Sequence, residues 1–465
     1  MARFKNSATA TARRRNGTIR TYRAALDFIN SATDYEKQSR VGYNVTNFSL
    51  TRMQRLLKGL GDPHKRLRSV HIAGTKGKGS TATMLAHMLQ GSGYVVGLYT
   101  SPHLIDIRER ISVNGHMISE ADLTRIIVKI APVVKRLAKD SPTFFEIMTA
   151  AAFLYFVSKK VDIAVIETGL GGRLDSTNVI KPAACGITSI SFDHMAQLGP
   201  TLDKIAEEKA GIFKSGVTVI SAPQPSEVKR VLRRMALRTG AQLRFAGEDI
   251  EFSYRFESSR AVGPHTRVCL TTPISRFEHL HVPLLGEHQA INCGVALGLV
   301  DALKEKGFRI DDQKAIEGLA KVRLPGRMEI ISEDPRVLVD GAHNAASVEA
   351  LMRAIGQNIP YDSMVLIFGC QADKDIMGML HQIQYGADKV IFAPTSSPRS
   401  ADPEDLAARF VEISGKMAQV AGNAAEAIDI ASHAVDRDDL ICVTGSFYLV
   451  GQVKQLINKR NGRRR

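Results

Sequence analysis

Cysteine is scarce in this 465-residue chain: five are present, at 185, 269, 293, 370 and 442, and none forms a CxxC pair. An odd number at such wide spacing excludes a disulfide framework and a zinc knuckle, and it fits a reducing compartment. A continuous membrane-spanning run is also missing. The long charge-free stretch 79–105 is broken by His87, Gln90, Ser92, Pro102 and several glycines, so it reads as helix, turn and strand. The first twenty residues have no acidic side chain and no apolar core of secretory type. Their Arg/Ser/Thr-rich composition leaves an organellar matrix as the alternative to the cytoplasm. The interior, finally, lacks a basic stripe interleaved with aromatics. The net charge of +15 comes mainly from six basic residues in 1–20 and six in 451–465, leaving about +3 for the body. The charge therefore belongs to two tails expected to be solvated and disordered, and nucleic acid is not the expected partner.

What remains is a globular composition, 44% hydrophobic and 23% charged, in a chain long enough for roughly two to four domains. Helical spacing at Tyr22, Ala25 and Phe28, and again at Leu50, Met53, Leu56, Leu57 and Leu60, predicts two opening helices. Strands are expected at 69–73, 95–100, 162–167 and 186–191, separated by helical stretches, a rhythm that defines a mostly parallel sheet covered by helices. Residues 250–285 alternate without a helical period and read as a small β insertion. A helix is expected at 289–304, followed by a polar Pro/Gly linker at 319–329. A second αβ alternation, with strands at 337–340, 364–368, 389–393 and 440–444, predicts a smaller doubly wound, Rossmann-like C-terminal domain. The division is placed at 21–324 and 325–465.

The strand 69–73 runs into Gly74-Thr75-Lys76-Gly77-Lys78-Gly79-Ser80-Thr81 and then a helix. Glycines let backbone N–H groups close around phosphates, the helix N-terminus adds positive potential, and Lys78 supplies a charge for the β/γ oxygens. Ser80 or Thr81 would reach phosphate or magnesium. The spacing departs from the common phosphate loop: Ile72 stands where that loop has glycine, and Gly79 separates the lysine from the hydroxyl. At the ends of the next strands lie Glu167 and the pair Asp193-His194, on the edge where a parallel sheet binds ligands. Lys209 falls on the apolar stripe of the helix 201–213, with Leu202, Ile205, Ala206 and Phe213. A bare ammonium is costly there. It either snorkels, pairs with an acid, or is chemically changed, for instance to a carbamate able to hold a cation.

Together the segments HIAGTKGKGS (71–80), TSPHL (100–104), ETGLGGRLDSTN (167–178), DH (193–194), EKAGI (208–212), PGRME (325–329), DGAHN (340–344) and VTGSFYLVG (443–451) closely resemble the folylpolyglutamate synthase/dihydrofolate synthase family, within the Mur-type ATP-dependent amide ligases. The resemblance runs in order from about Tyr22 to Gly451. It implies a Mur-ligase-like fold with a phosphate-loop ATPase domain, and a reaction in which a pteroate or folate carboxylate is activated by ATP as an acyl phosphate and captured by L-glutamate. By the same resemblance Gly74, Thr75, Gly77, Lys78, Gly79, Ser80 and Thr81 bind the triphosphate, Asn292 lies on the adenine side, and Arg327, Asp340 and His343 clamp ATP from the second domain. Ser101 and Glu167 are implied as ligands of one Mg2+, His194 and N-carbamylated Lys209 of a second. Lys78, Lys209 and His194 are the implied catalytic residues, Asp175 and Asn178 lie near the pterin-bearing substrate, and Arg399 is a candidate for glutamate. A monomer with small-molecule partners and no membrane association is expected. A Mur-type ligase for another acyl acceptor, and a nucleotide-dependent switch or nucleic-acid-binding protein, are the alternatives. Read alone, DGAHN is only a turn after a strand and PGR only a hinge.

Overall fold

The computed structural model describes residues 19–37, 42, 44, 47–259 and 263–463. Most of the basic N-terminal tail therefore lies outside the described residues. The first sheet contains β1 (Ser69–Ala73), β2 (Val96–Tyr99), β3 (Ile111–Val113), β4 (His116–Met117), β5 (Ile163–Glu167), β6 (Ala184–Ile187), β7 (Thr218–Ser221) and β8 (Gln242–Phe245), in the order β4-β3-β2-β5-β1-β6-β7-β8. From β2 to β8 every pairing is parallel, and β3 and β4 add an antiparallel edge. β1 and β5 are buried at every position, as continuous apolar strands covered on both faces must be. The charge-free stretch resolves into the helix Lys78–Gly91 and β2, and no helix among the described residues is long and apolar enough to cross a membrane.

The third central strand differs from expectation. It spans 184–187 rather than 186–191, because 188–191 leave the sheet to hold the phosphate loop. Ser189 O accepts from the N–H groups of Thr75 and Lys76 at 3.0 and 3.3 Å, and Ser191 N donates to Thr75 Oγ1 at 3.1 Å. β-branched composition marks this segment as extended, but its hydrogen bonds go to a loop.

An antiparallel sheet of β9 (Glu251–Ser259), β10 (Gly263–Thr271) and β11 (Arg276–Val282) packs on the helix Glu287–Glu305. Phe252 fills the notch left at Gly294, where a Cβ would stand 2.5 Å from its ring. The phosphate-loop helix is braced from another side by the helix Asp312–Ala320. Their backbones touch: a Cβ at Gly318 would lie 2.1 Å from His87 O, and one at Gly91 2.2 Å from Lys314 O. Gly318→Ala should therefore cost about 1–3 kcal/mol by overpacking, seen as a lower urea midpoint.

The C-terminal sheet is built from β12 (Glu329–Glu333), β13 (Arg336–Val339), β14 (Met364–Phe368), β15 (Lys389–Phe392), β16 (Ala418–Val420) and β17 (Leu440–Thr444), ordered β12-β13-β17-β14-β15-β16. Only β12 runs antiparallel. As far as Arg463 the C-terminal basic segment is helical rather than a disordered tail, being the end of the helix Phe447–Arg463, and Arg464 and Arg465 lie outside the described residues. Leu449, Val450, Val453 and Ile457 share one buried face on the sheet, while Lys454 pairs with Glu329 and Arg460 with Asp429. Apolar positions at helical spacing outweigh the charge of the segment.

Candidate active site

A cavity of about 510 Å³ opens between the two sheets, walled by the carboxyl ends of β1, β2, β5 and β6 on one side and by the ends of β13, β14 and β17 on the other. Parallel register brings the residues together: Ile72 pairs with Glu167, Tyr99 with Ile166, and Ala73 with Ile187. Each strand therefore delivers its following loop to the same edge.

The phosphate loop needs two of its glycines for physical reasons. Gly77 has φ +85°, and a Cβ there would stand 2.0 Å from Asn292 Oδ1; Gly74 meets Thr188 Oγ1 in the same way at 1.8 Å. Lys78 Nζ rests on the carbonyls of Gly74 and Thr75 at 3.2 and 3.4 Å, neutral acceptors that it can leave for a phosphate. Thr75, Gly79 and Ser80 also line the cavity. Thr81 does not: it is fully buried and its hydroxyl donates to Asn292 O at 3.4 Å, so of the two hydroxyls only Ser80 faces the cavity. Asn292 itself packs against the Gly77 turn and donates to Gln289 Oε1 at 3.1 Å.

Glu167 lies under the loop, 3.4 Å from where a Cβ of Gly79 would be. Ser101 N donates to its Oε2 at 3.0 Å, and it forms no ion pair among the described residues. Burial pushes its carboxyl up to about 7, against the pull of the Lys78 ammonium. Lys209 is buried on its helix and donates from Nζ to Gly74 O at 2.7 Å, so it neither snorkels nor pairs with an acid. Burial, reinforced by the neighbouring Lys78 charge, lowers its amine to about 7. His194 follows β6 at φ +50°, a left-handed setting that costs a non-glycine residue roughly 1–2 kcal/mol. Partial desolvation and the neighbouring Lys374, Lys209 and Lys78 charges hold its imidazole below the usual range, so it is neutral at pH 7.

No group of three or more His, Cys, Asp or Glu side chains converges to hold a metal among the described residues. The donors that do converge suit Mg2+: a buried carboxylate without a counter-ion beside hydroxyls and a phosphate loop, since Mg2+ keeps waters and takes only one or two protein carboxylates.

From the second lobe, Arg327 stacks over Phe447 with its guanidinium carbon 4.6 Å from the ring centroid. Asp340 lines the cavity and accepts from the N–H groups of Met328 and Ala342 at 2.9 and 2.8 Å, fixing the linker to β13. His343 Nδ1 lies 2.9 Å from Gly341 O, and burial lowers the ring to about 4. Asp175 is buried at the cavity wall, accepting from Gly169 N and Leu170 N at 2.9 Å and from Thr177, whose hydroxyl also meets His71. Asn178 is not in the cavity. Its amide donates to Arg173 O and Gly211 O at 3.0 Å and its oxygen accepts from Lys214, so it ties the loop to the Lys209 helix instead of facing substrate.

Around the far end of the cavity lie three arginines, of which sequence reasoning singled out only Arg399. Arg52 pairs with buried Glu146 at 2.8 Å, Arg110 grips Glu36 through two bonds of 2.9 and 2.6 Å, and Arg399 donates to Glu36 O at 2.7 Å. These partners are far apart in sequence, and no local spacing marks them. Asp193 and Lys374, joined at 3.2 Å, were missed for the same reason, although the DH pair pointed to the first.

A parallel sheet ending in this loop, opposed by a second αβ lobe, defines a Mur-type ligase. Residues 72–300 match the Mur ligase middle domain and 326–447 the Mur ligase glutamate ligase domain. The chain belongs to the dihydrofolate synthase/folylpolyglutamate synthase family of ATP-dependent ligases. It is 36% identical to a Bacillus subtilis dihydrofolate synthase/folylpolyglutamate synthase over 87% of this chain and 94% of that one. It is similar to the Mycobacterium tuberculosis folylpolyglutamate synthase complexed with ADP, with a TM-score of 0.84 and 32% identity over 94% of this chain and 98% of that one. Escherichia coli FolC in complex with DHPP and ADP gives a TM-score of 0.80 and 30% identity over 95% and 99%.

Proposed function

We propose that the cavity binds ATP at residues 74–80 and a dihydropteroate or reduced folate toward the Arg52–Phe145 end, and joins the folate carboxyl to L-glutamate. The observation that carries this reading is the convergence of Lys78, Glu167 and Lys209 on one loop, faced by Arg327 and His343 from the other lobe. The names of the ADP and DHPP complexes of the relatives support it.

The loop amides and Lys78 hold the triphosphate while Asn292 packs the turn on the adenine side. The acyl carboxylate attacks the γ-phosphorus, ADP leaves, and the glutamate amine then displaces phosphate from the acyl phosphate. Catalysis is mainly alignment plus charge neutralisation. Ser101 and Glu167 would hold one Mg2+, and His194 with a carbamate on Lys209 a second. The bound cations would offset charge on the phosphate oxygens. Lys209 with its amine near 7 is largely neutral at pH 8, as attack on CO2 requires; the N–C bond forms and one proton is released. Arg327, Asp340 and His343 act from the second lobe, so we place the division at 21–324 and 325–465. Arg399 remains the candidate contact for glutamate. A cytoplasmic monomer is proposed; the unpaired cysteines support a reducing compartment.

Phosphate release from ATP should require both glutamate and a pteroate or folate. Mass spectrometry of products from dihydropteroate and tetrahydrofolate separately assigns the acceptor, and no glutamylated product from either would leave a ligase for another acyl group. Glu167→Gln should raise the Mg2+ concentration for half-maximal phosphate release by about 10- to 100-fold.

A further inference from the structure

Asp193 is a cavity carboxylate that the roles above leave unused. Its side chain is 10% exposed, and its contacts cross from one lobe to the other. Oδ1 accepts from Lys374 Nζ at 3.2 Å and Oδ2 from Asn344 Nδ2 at 3.3 Å, with His343 Nε2 3.9 Å from Oδ2. All three partners lie in the C-terminal lobe. On its own side, Oδ1 accepts the backbone N–H of His194 at 2.8 Å.

The other arginine or lysine ion pair between the lobes among the described residues, Arg353 with Glu287 at 3.8 Å, has side chains 55% and 50% exposed and is screened by solvent. Lys374, 13% exposed, pairs with no other acid among the described residues. Truncating either partner would therefore leave a shielded charge uncompensated. His194 leans on the same carboxylate, its Nε2 3.9 Å from Asp193 Oδ1. It sits in a left-handed backbone setting ahead of a single helical turn, Met195–Leu198, and its side chain makes no capping bond.

We propose that Asp193 is a positioning residue that latches the C-terminal lobe onto the phosphate-loop lobe and, through the His194 amide, makes the setting of His194 depend on that closure. The part concerning His194 rests on the ligase reading; the latch between lobes does not.

The test uses the full chain with Cys269→Ser and dye-labelled cysteines at two exposed positions, Leu237→Cys and Met417→Cys, one on each lobe. Without nucleotide, Asp193→Asn should move the single-molecule transfer distribution toward wider separation, with the open-to-closed ratio rising at least about tenfold. Lys374→Met should do the same, the double variant should add little, and Asp193→Glu should restore most of the closed population. Half-closure by ATP should need a correspondingly higher concentration, whereas a purely structural role would lower the melting temperature without changing the distribution. An unchanged distribution in both single variants, or fully additive shifts in the double variant, would overturn the latch. Lys374→Met reports on the same contact if Asp193→Asn does not fold. Failure of the parent to form amides would remove the ligase reading while leaving the transfer result to stand.

Discussion

Lys78→Ala should lower the rate of phosphate release by about 10²- to 10³-fold with little change in thermal midpoint. The two expectations have the same cause. Among the described residues the ammonium's hydrogen bonds go to the carbonyls of Gly74 and Thr75, at 3.2 and 3.4 Å, in a half-buried loop that water reaches. Its removal leaves those acceptors to solvent and breaks no ion pair among the described residues. When phosphate is bound, the same group meets developing negative charge in an enclosed site, where a fixed cation is worth far more than in water. Phosphate release under saturating substrates, with circular dichroism as the fold control, decides the matter. Undiminished turnover would remove the phosphate-loop assignment.

Lys209→Ala should be nearly as severe, at least about 10²-fold, and partly reversible by formate or acetate, whose carboxylate replaces the missing oxygen donors. The parent protein exposed to 13C-bicarbonate should show a carbamate resonance that the variant lacks. The pH dependence has a fixed sign. Below about 7 the amine is protonated and has no lone pair for CO2; above it the neutral form dominates, so carbamate occupancy rises with pH through that value. A resonance that persists in Lys209→Ala, or one that falls as pH rises from 7 to 8, would reject carbamylation of this residue.

Sequence spacing located the phosphate loop because strand, glycine turn, lysine and helix are contiguous, so local chemistry is enough. Lys209 was legible for a related reason: a charge on an apolar helical stripe is visible without knowing what covers it, although its acceptor, Gly74 O, was not. Boundaries failed where tertiary bonds replaced sheet bonds, as at 188–191, and where charge concealed an amphipathic helix, as at 451–463. Thr81 and Asn178 share motifs with functional neighbours, yet their side chains turn into the protein, a direction that residue type does not encode. The cross-lobe pair Asp193–Lys374, separated by 181 residues, depends on how the two sheets are set against one another.

Phe252, seated in the notch at Gly294, makes the outlying β9–β11 sheet a buttress for the helix that presents Asn292 to the Gly77 turn. A shortened enzyme lacking this sheet would expose one side of that helix and loosen its hold on the Gly77 turn. Engineers seeking a minimal catalyst should expect such a deletion to weaken ATP affinity even where the core sheet still assembles.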